Sequence, residues 1–165
     1  MDIFKNLSEK EIEQVYQAPA LVTILIGASD GKLDGEERSW SEKLLRTRSY
    51  AAQADLQKYY QKVSESFWVQ LQHELSVLPQ EVEQRNAAIS ERLARLNPIF
   101  EKLDHEVAYG LYKGLIGLAA ETAKASGGFL RIGSVSAAEY EWLKLPMLVE
   151  IEKPGGIEEE EETED

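Results

Sequence analysis

The residues whose spacing carries the most chemistry are the carboxylates of the run Asp30-Gly31-Lys32-Leu33-Asp34-Gly35-Glu36-Glu37. Hard oxygen ligands three or four residues apart around a glycine turn suit a divalent cation. Asp30, Asp34 and Glu37, helped by Glu36 and waters, are therefore the candidate metal ligands, and a divalent cation is the only cofactor the chain suggests. The same residues have a second role open to them. Asp34 at the start of a helix caps its first amides, and Glu37, three residues on, completes a capping box. Elsewhere reactive groups are scarce. There is no cysteine, which removes disulfides, thiolate ligands and thiol nucleophiles together. The residues three before His73 and His105 are Gln70 and Lys102, so the Glu-x-x-His pairs of a di-iron bundle are missing. Glu101 and His105, four apart, share at most an ordinary polar helix face. No nucleophile elbow, phosphate-cradling glycine loop or zinc-protease helix occurs. The expectation is a chain without catalytic residues.

The elements that would position the acidic run are helices. Proline and glycine fall at intervals, at Pro19, Gly31, Pro79, Pro98, Gly127, Gly128 and Pro154, and the stretches between them have apolar residues at helical spacing. Ser8-Glu-Lys-Glu11 opens a first helix that Pro19 closes, and a second, apolar helix runs on from Pro19. A third follows Asp34 and carries Trp40, Leu44 and Leu45. Leu56, Tyr60, Val63, Phe67, Leu71, Leu75 and Leu78 form the stripe of a fourth, which Pro79 ends. Val82, Ile89, Leu93 and Leu96 mark a fifth, ending at Asn97 because the residue before proline avoids helical geometry. From Pro98 a sixth, apolar on nearly all sides as far as Leu118, is expected at the centre, with Gly110, Gly114 and Gly117 letting a neighbour approach. No segment alternates as a strand does; Phe129 to Ile132 is the only short temptation. The prediction is all-α: a single-domain bundle of about seven helices over residues 1–153, then a disordered acidic tail over 154–165 that has too little apolar surface to order itself.

One pattern occurs twice. Gly31-x-Leu33-Asp34-x-x-Glu37-x-x-Trp40 is echoed by Gly133-x-Val135-Ser136-x-x-Glu139-x-x-Trp142, each copy following an apolar helix. Glycine serves the turn, the aliphatic residue plugs it, Asp or Ser caps, and tryptophan buries the entering face. The expected result is two pseudo-repeated helix-turn-helix units whose central apolar helices touch. The first copy resembles the latter half of a calcium-binding EF-hand, but Ile26 and Ala28 stand where the earliest ligands belong, which excludes a full calcium cage. The second has Ile132 and Ser136 in place of Asp30 and Asp34, so any metal role falls to the first. The block Ala28-Ser-Asp-Gly-Lys-Leu-Asp-Gly-Glu-Glu37, with its degenerate second copy, resembles the TerB-like family of helical domains from tellurite-resistance operons and related stress proteins. That resemblance implies an all-α two-repeat domain, an acidic surface with metal contacts at Asp30, Asp34 and Glu37, and a role as an interaction module in stress-response or envelope-associated assemblies.

Charge narrows the partners. Of the net charge of −12, Glu158 to Glu162 with Glu164 and Asp165 supply seven negatives, leaving a mildly acidic body. Nucleic-acid affinity comes chiefly from Lys and Arg displacing counterions, so DNA and RNA are not expected partners. Lys43, Arg46 and Arg48, with Tyr50 nearby, form the one small basic spot, read as a solvated helix end or a patch for an acidic segment such as the tail. Val107 to Ala123, the most apolar window, contains Lys113 and Glu121 and is too short for a bilayer span. The first residues lack the order of a secretory signal, which predicts a cytoplasmic address. An unidentified protein is the expected partner, with self-association left open.

Overall fold

The computed structural model describes residues 2–28, 35–51, 53–125 and 142–155, with backbone alone at 35–38, 40, 49–51 and 125. Among the described residues all regular structure is helical, in six elements: α1 (Glu9–Gly27), α2 (Gly35–Ala51), α3 (Ala54–Val77), α4 (Val82–Ala94), α5 (Leu96–Glu101) and α6 (His105–Ala125). None of these helices is long and apolar enough to cross a membrane. The all-α class is as expected. The expected boundaries differ at two prolines and one aspartate, each for a local physical reason.

Helix α1 begins at the capping box: Glu11 N–H donates to Ser8 Oγ at 3.2 Å and Ser8 N–H to Glu11 Oε2 at 2.8 Å. Lys102 also pairs with Glu11, and with the Ser8 amide it holds that carboxyl below its ordinary range. The helix does not stop at Pro19. It continues to Gly27, so the two helices expected there are one. A proline inside a helix leaves the carbonyl four residues earlier without its donor. Here that carbonyl is Val15 O, and the Tyr59 hydroxyl of α3 donates to it at 2.9 Å. Burial raises the Tyr59 phenol well above its ordinary pKa, so the group stays a donor. Phe4, Tyr16 and Tyr60 surround Tyr59 with ring centroids 5.0–6.0 Å away. Tyr59→Phe is expected to cost about 1–3 kcal/mol, the usual penalty for a buried acceptor left unpaired. In a Pro19→Ala background the loss should shrink, because residue 19 then offers its own N–H to Val15 O; a double-mutant cycle in urea reads the coupling.

Every residue of α1 from Ala18 to Gly27 is buried. This half-helix, packed by α3, α4, α5 and α6, is the centre of the bundle. Helix α6 was the expected centre, but it keeps a solvent face at Lys113, Ala120 and Lys124. Helix α3 shows the predicted stripe, with Leu56, Tyr60, Val63, Phe67 and Leu71 buried, and ends in an extended Leu78 before Pro79.

The continuous helix expected from Pro98 to Leu118 is broken. Asp104 Oδ1 accepts the Glu106 amide at 3.0 Å and Asp104 O the Ala108 amide at 2.9 Å, so an N-cap replaces helical continuation. The preceding break comes at Arg95 and not at Asn97. Pro98 is then the third residue of α5, a position whose amide would lack an intrahelical acceptor in any case.

After α6 the chain is next described at Trp142, half-buried against the core. It turns at Leu145, whose φ of 47° is left-handed and whose side chain is fully buried. A non-glycine residue pays roughly 1–2 kcal/mol there, and burial of the leucine is of a size to offset it. Residues 146–153 then lie as a strap over α5 and the start of α6.

Candidate functional site

Sequence reasoning placed the site at Asp30, Asp34 and Glu37. Asp30, Asp34 and the Glu37 side chain lie outside the described residues, as does the second copy of the pattern from Gly133 to Glu141 and the tail from 156 on. What can be described is the end of the bundle that carries the first copy. Helix α1 arrives there at Ala28 and α2 leaves at Gly35. Arg85, in the first turns of α4, donates an Nη–H to Ala28 O, which puts α4's start at the same end. Helix α6 finishes there too. Arg48 lies against Gly114 and Gly117, while Leu45 and Leu118 line one small void. Going back along α2 thus means going forward along α6, so Ser41, early in α2, and Thr122, near the end of α6, both lie toward this end.

At this end the interior is unusually polar. Ser41 and Thr122 are fully buried and their hydroxyl oxygens have no hydrogen-bond partner. Asn86 Oδ1 and Arg85 Nε are likewise buried and unpartnered. Arg85 is only 5% exposed, and among the described residues no carboxylate pairs with it. Its compensation is the carbonyl at the C-terminus of α1, where the helix dipole places partial negative charge. Buried polar groups are nearly always satisfied in native proteins, so four orphans at one end of the bundle need a cause. None of them was singled out from the sequence, since serine, threonine, arginine and asparagine on helices are ordinarily surface residues.

No protein-family model, curated protein or solved structure matches this chain. The TerB-like resemblance therefore stands on the Ala28–Glu37 block and its echo. Among the described residues no three His, Asp or Glu side chains gather closely enough to hold a metal ion.

The three glycines of α6 do admit neighbours, as their spacing predicted. Arg48 of the expected basic spot is not a solvated group: its guanidinium lies on α6 and donates to Gly114 O. Lys43 and Arg46 also have interaction partners. A Cβ at Gly114 would meet the Tyr60 hydroxyl, with the buried Tyr60 ring behind it at 3.4 Å, whereas at Gly117 it would meet only the far end of the long Arg48 side chain. Gly114→Ala is expected to cost about 1–3 kcal/mol by overpacking, and Gly117→Ala less. Urea midpoints of the two variants provide the comparison.

Two polar devices sit away from the signature end. Glu74, 1% exposed on α3, receives both terminal nitrogens of Arg92 from α4 and the Gln70 amide at 3.0 Å; Arg92 Nη2 also donates to Gln17 Oε1 of α1 at 2.9 Å. The Glu74 carboxylate raises the Arg92 pKa further. At the strap, Asn97 holds backbone on both sides: its amide donates to Met147 O at 2.9 Å, and its carbonyl accepts from Val149 N–H at 2.9 Å. His105 Nε2 donates to Glu152 O at 2.8 Å rather than pairing with Glu101. Between strap and helices lies an open cleft of about 450 Å³. Phe100, Leu103, Ala108 and Ile151 form its floor and walls, and Glu101, Glu150 and Glu152 line its exposed rim.

Proposed function

We propose that this chain is a TerB-like helical interaction module, a non-catalytic domain of a cytoplasmic bacterial stress-response or envelope-associated assembly, docking a protein partner through the end that carries Asp30 to Glu37. The observation that supports this reading is the paired signature, Gly31 to Trp40 and Gly133 to Trp142, beside which α2, α4 and α6 hold four buried, unpartnered polar atoms, Ser41 Oγ, Arg85 Nε, Asn86 Oδ1 and Thr122 Oγ1. Groups of this kind cost about 1–3 kcal/mol each when left unsatisfied. A shift of these helices on docking, which brings such groups to a partner, gives a reason to retain them. The two-repeat arrangement belongs to the same reading, the second copy serving an architectural role.

The test is quantitative capture from the native host, under several stresses, with the tagged full chain. Asp30→Ala/Asp34→Ala/Glu37→Ala is compared with a control triple at exposed sites elsewhere, Glu9→Ala/Glu65→Ala/Glu91→Ala. A protein retained by the parent and the control but lost from the signature variant supports the reading; identical retention by all three overturns it.

A divalent-cation sensor using Asp30, Asp34 and Glu37 is the second reading, carried by carboxylate spacing. The buried Arg85 cation, bonded to the residue just before that loop, weighs against it because like charges repel strongly where water is excluded. Titration calorimetry with calcium, manganese and zinc separates the two: heat from the parent that disappears in Asp30→Ala favours the cation, and silence in both removes it.

A further inference from the structure

The geometry points to a second, independent binding site at the opposite end of the bundle: the cleft under the C-terminal strap is a receptor for a basic, extended segment of a partner protein, taking a lysine or arginine side chain with its aliphatic stem on the apolar floor and its charged head at the carboxylate rim.

Three observations carry this. The first is size and lining. About 450 Å³ falls within the usual range of ligand pockets, and the floor of Phe100, Leu103, Ala108 and Ile151 is apolar, as a lysine or arginine stem requires. The second is charge. Glu101, Glu150 and Glu152 stand at the rim, and among the described residues none of them forms an ion pair. Among the described residues the one nitrogen base lining the cleft, His105, is turned to the Glu152 carbonyl. In sequence the strap is followed by Glu158–Glu162, Glu164 and Asp165, and the net charge of −12 favours encounter with a basic segment. The third is backbone. Residues 149–153 carry no helix or turn, and between the Val149 amide held by Asn97 and the Glu152 carbonyl held by His105, the Ile151 amide and carbonyl have no partner among the described residues. An added extended chain satisfies such an edge by main-chain hydrogen bonds, which a free polyamine does not offer. Val149, 68% exposed beside the cleft, adds an apolar contact for it.

The test pans a random dodecapeptide display library against the full chain and measures the selected peptides by fluorescence anisotropy. Two variants of equal charge are compared, Glu101→Gln/Glu150→Gln/Glu152→Gln at the rim and Glu65→Gln/Glu83→Gln/Glu91→Gln elsewhere, all at exposed positions, with circular dichroism to show that both stay folded. Lysine- or arginine-bearing sequences are expected, bound at least tenfold more weakly by the rim variant and within twofold by the control. Neutral or acidic selections, no selection at all, or equal losses in both variants overturn the proposal. So does spermine binding as tightly as the peptides with the same dependence on the rim, which makes the site one for small polyamines. Because these residues lie away from Asp30 to Glu37, failure here and failure at the signature end are read separately.

Discussion

Arg92→Met is expected to lower stability by about 3–5 kcal/mol, and Glu74→Met by distinctly less, although the two residues form one ion pair. The asymmetry follows from their unequal burial: the Glu74 side chain is 1% exposed and the Arg92 side chain 25%. Without Arg92, a carboxylate is left inside the bundle with only the Gln70 amide. Without Glu74, the guanidinium keeps Gln17 and turns toward water, so the loss is that of charged hydrogen bonds, about 1.5–3 kcal/mol. Replacing both, Glu74→Met with Arg92→Leu, should recover most of the stability, since apolar residues of similar volume do as well as a buried pair. Urea unfolding at neutral pH, with the slope checked for constancy, gives the three differences. Equal costs for the two single variants would show that the pair is more hydrated than its burial indicates.

Arg85→Met is expected to act in the opposite direction and stabilise the chain by about 1–4 kcal/mol. Arg85 is a buried cation whose side chain, among the described residues, donates only to Ala28 O and whose Nε has no partner. Methionine follows the same path without the desolvation cost, and for a chain of this size the melting temperature should rise by roughly 2–4 °C per kcal/mol. Arg85→Ala is the control, since it removes the charge but leaves a void. If the signature end is a docking face, the stabilised Arg85→Met protein should also capture less partner, the exchange of stability against function seen where a strained group is retained for binding. A melting temperature that falls in Arg85→Met would falsify the view of this residue as an uncompensated charge.

Much of the helical skeleton was legible beforehand. The Ser8/Glu11 capping box, the apolar stripe of α3, its stop at Pro79 and the close approach permitted by Gly110, Gly114 and Gly117 are all local signals, and all four are found. The misreadings are just as specific. Pro19 reads locally as a stop because a lone helix cannot replace the donor it removes; Tyr59, forty-four residues away from Val15, does so. Asp104 reads as part of a helix because apolar spacing continues on both sides of it, yet its cap breaks the element into α5 and α6. In sequence Asn97 is only the residue before a proline, and nothing in its neighbourhood hints that it clamps Met147 and Val149.

The residues near each other along the chain were thus enough to determine that it folds as helices, where most of them begin, and that their inner faces are apolar. Periodicity is a local property and survives in one dimension. Which polar groups go inside was decided only by tertiary structure. Glu74 meets Arg92 eighteen positions later, Arg85 meets Ala28 across fifty-seven, and Gln17 meets Arg92 across seventy-five. A buried charge is tolerable or ruinous according to a partner the local sequence does not specify, because that partner arrives only when separate helices pack and exclude water between them.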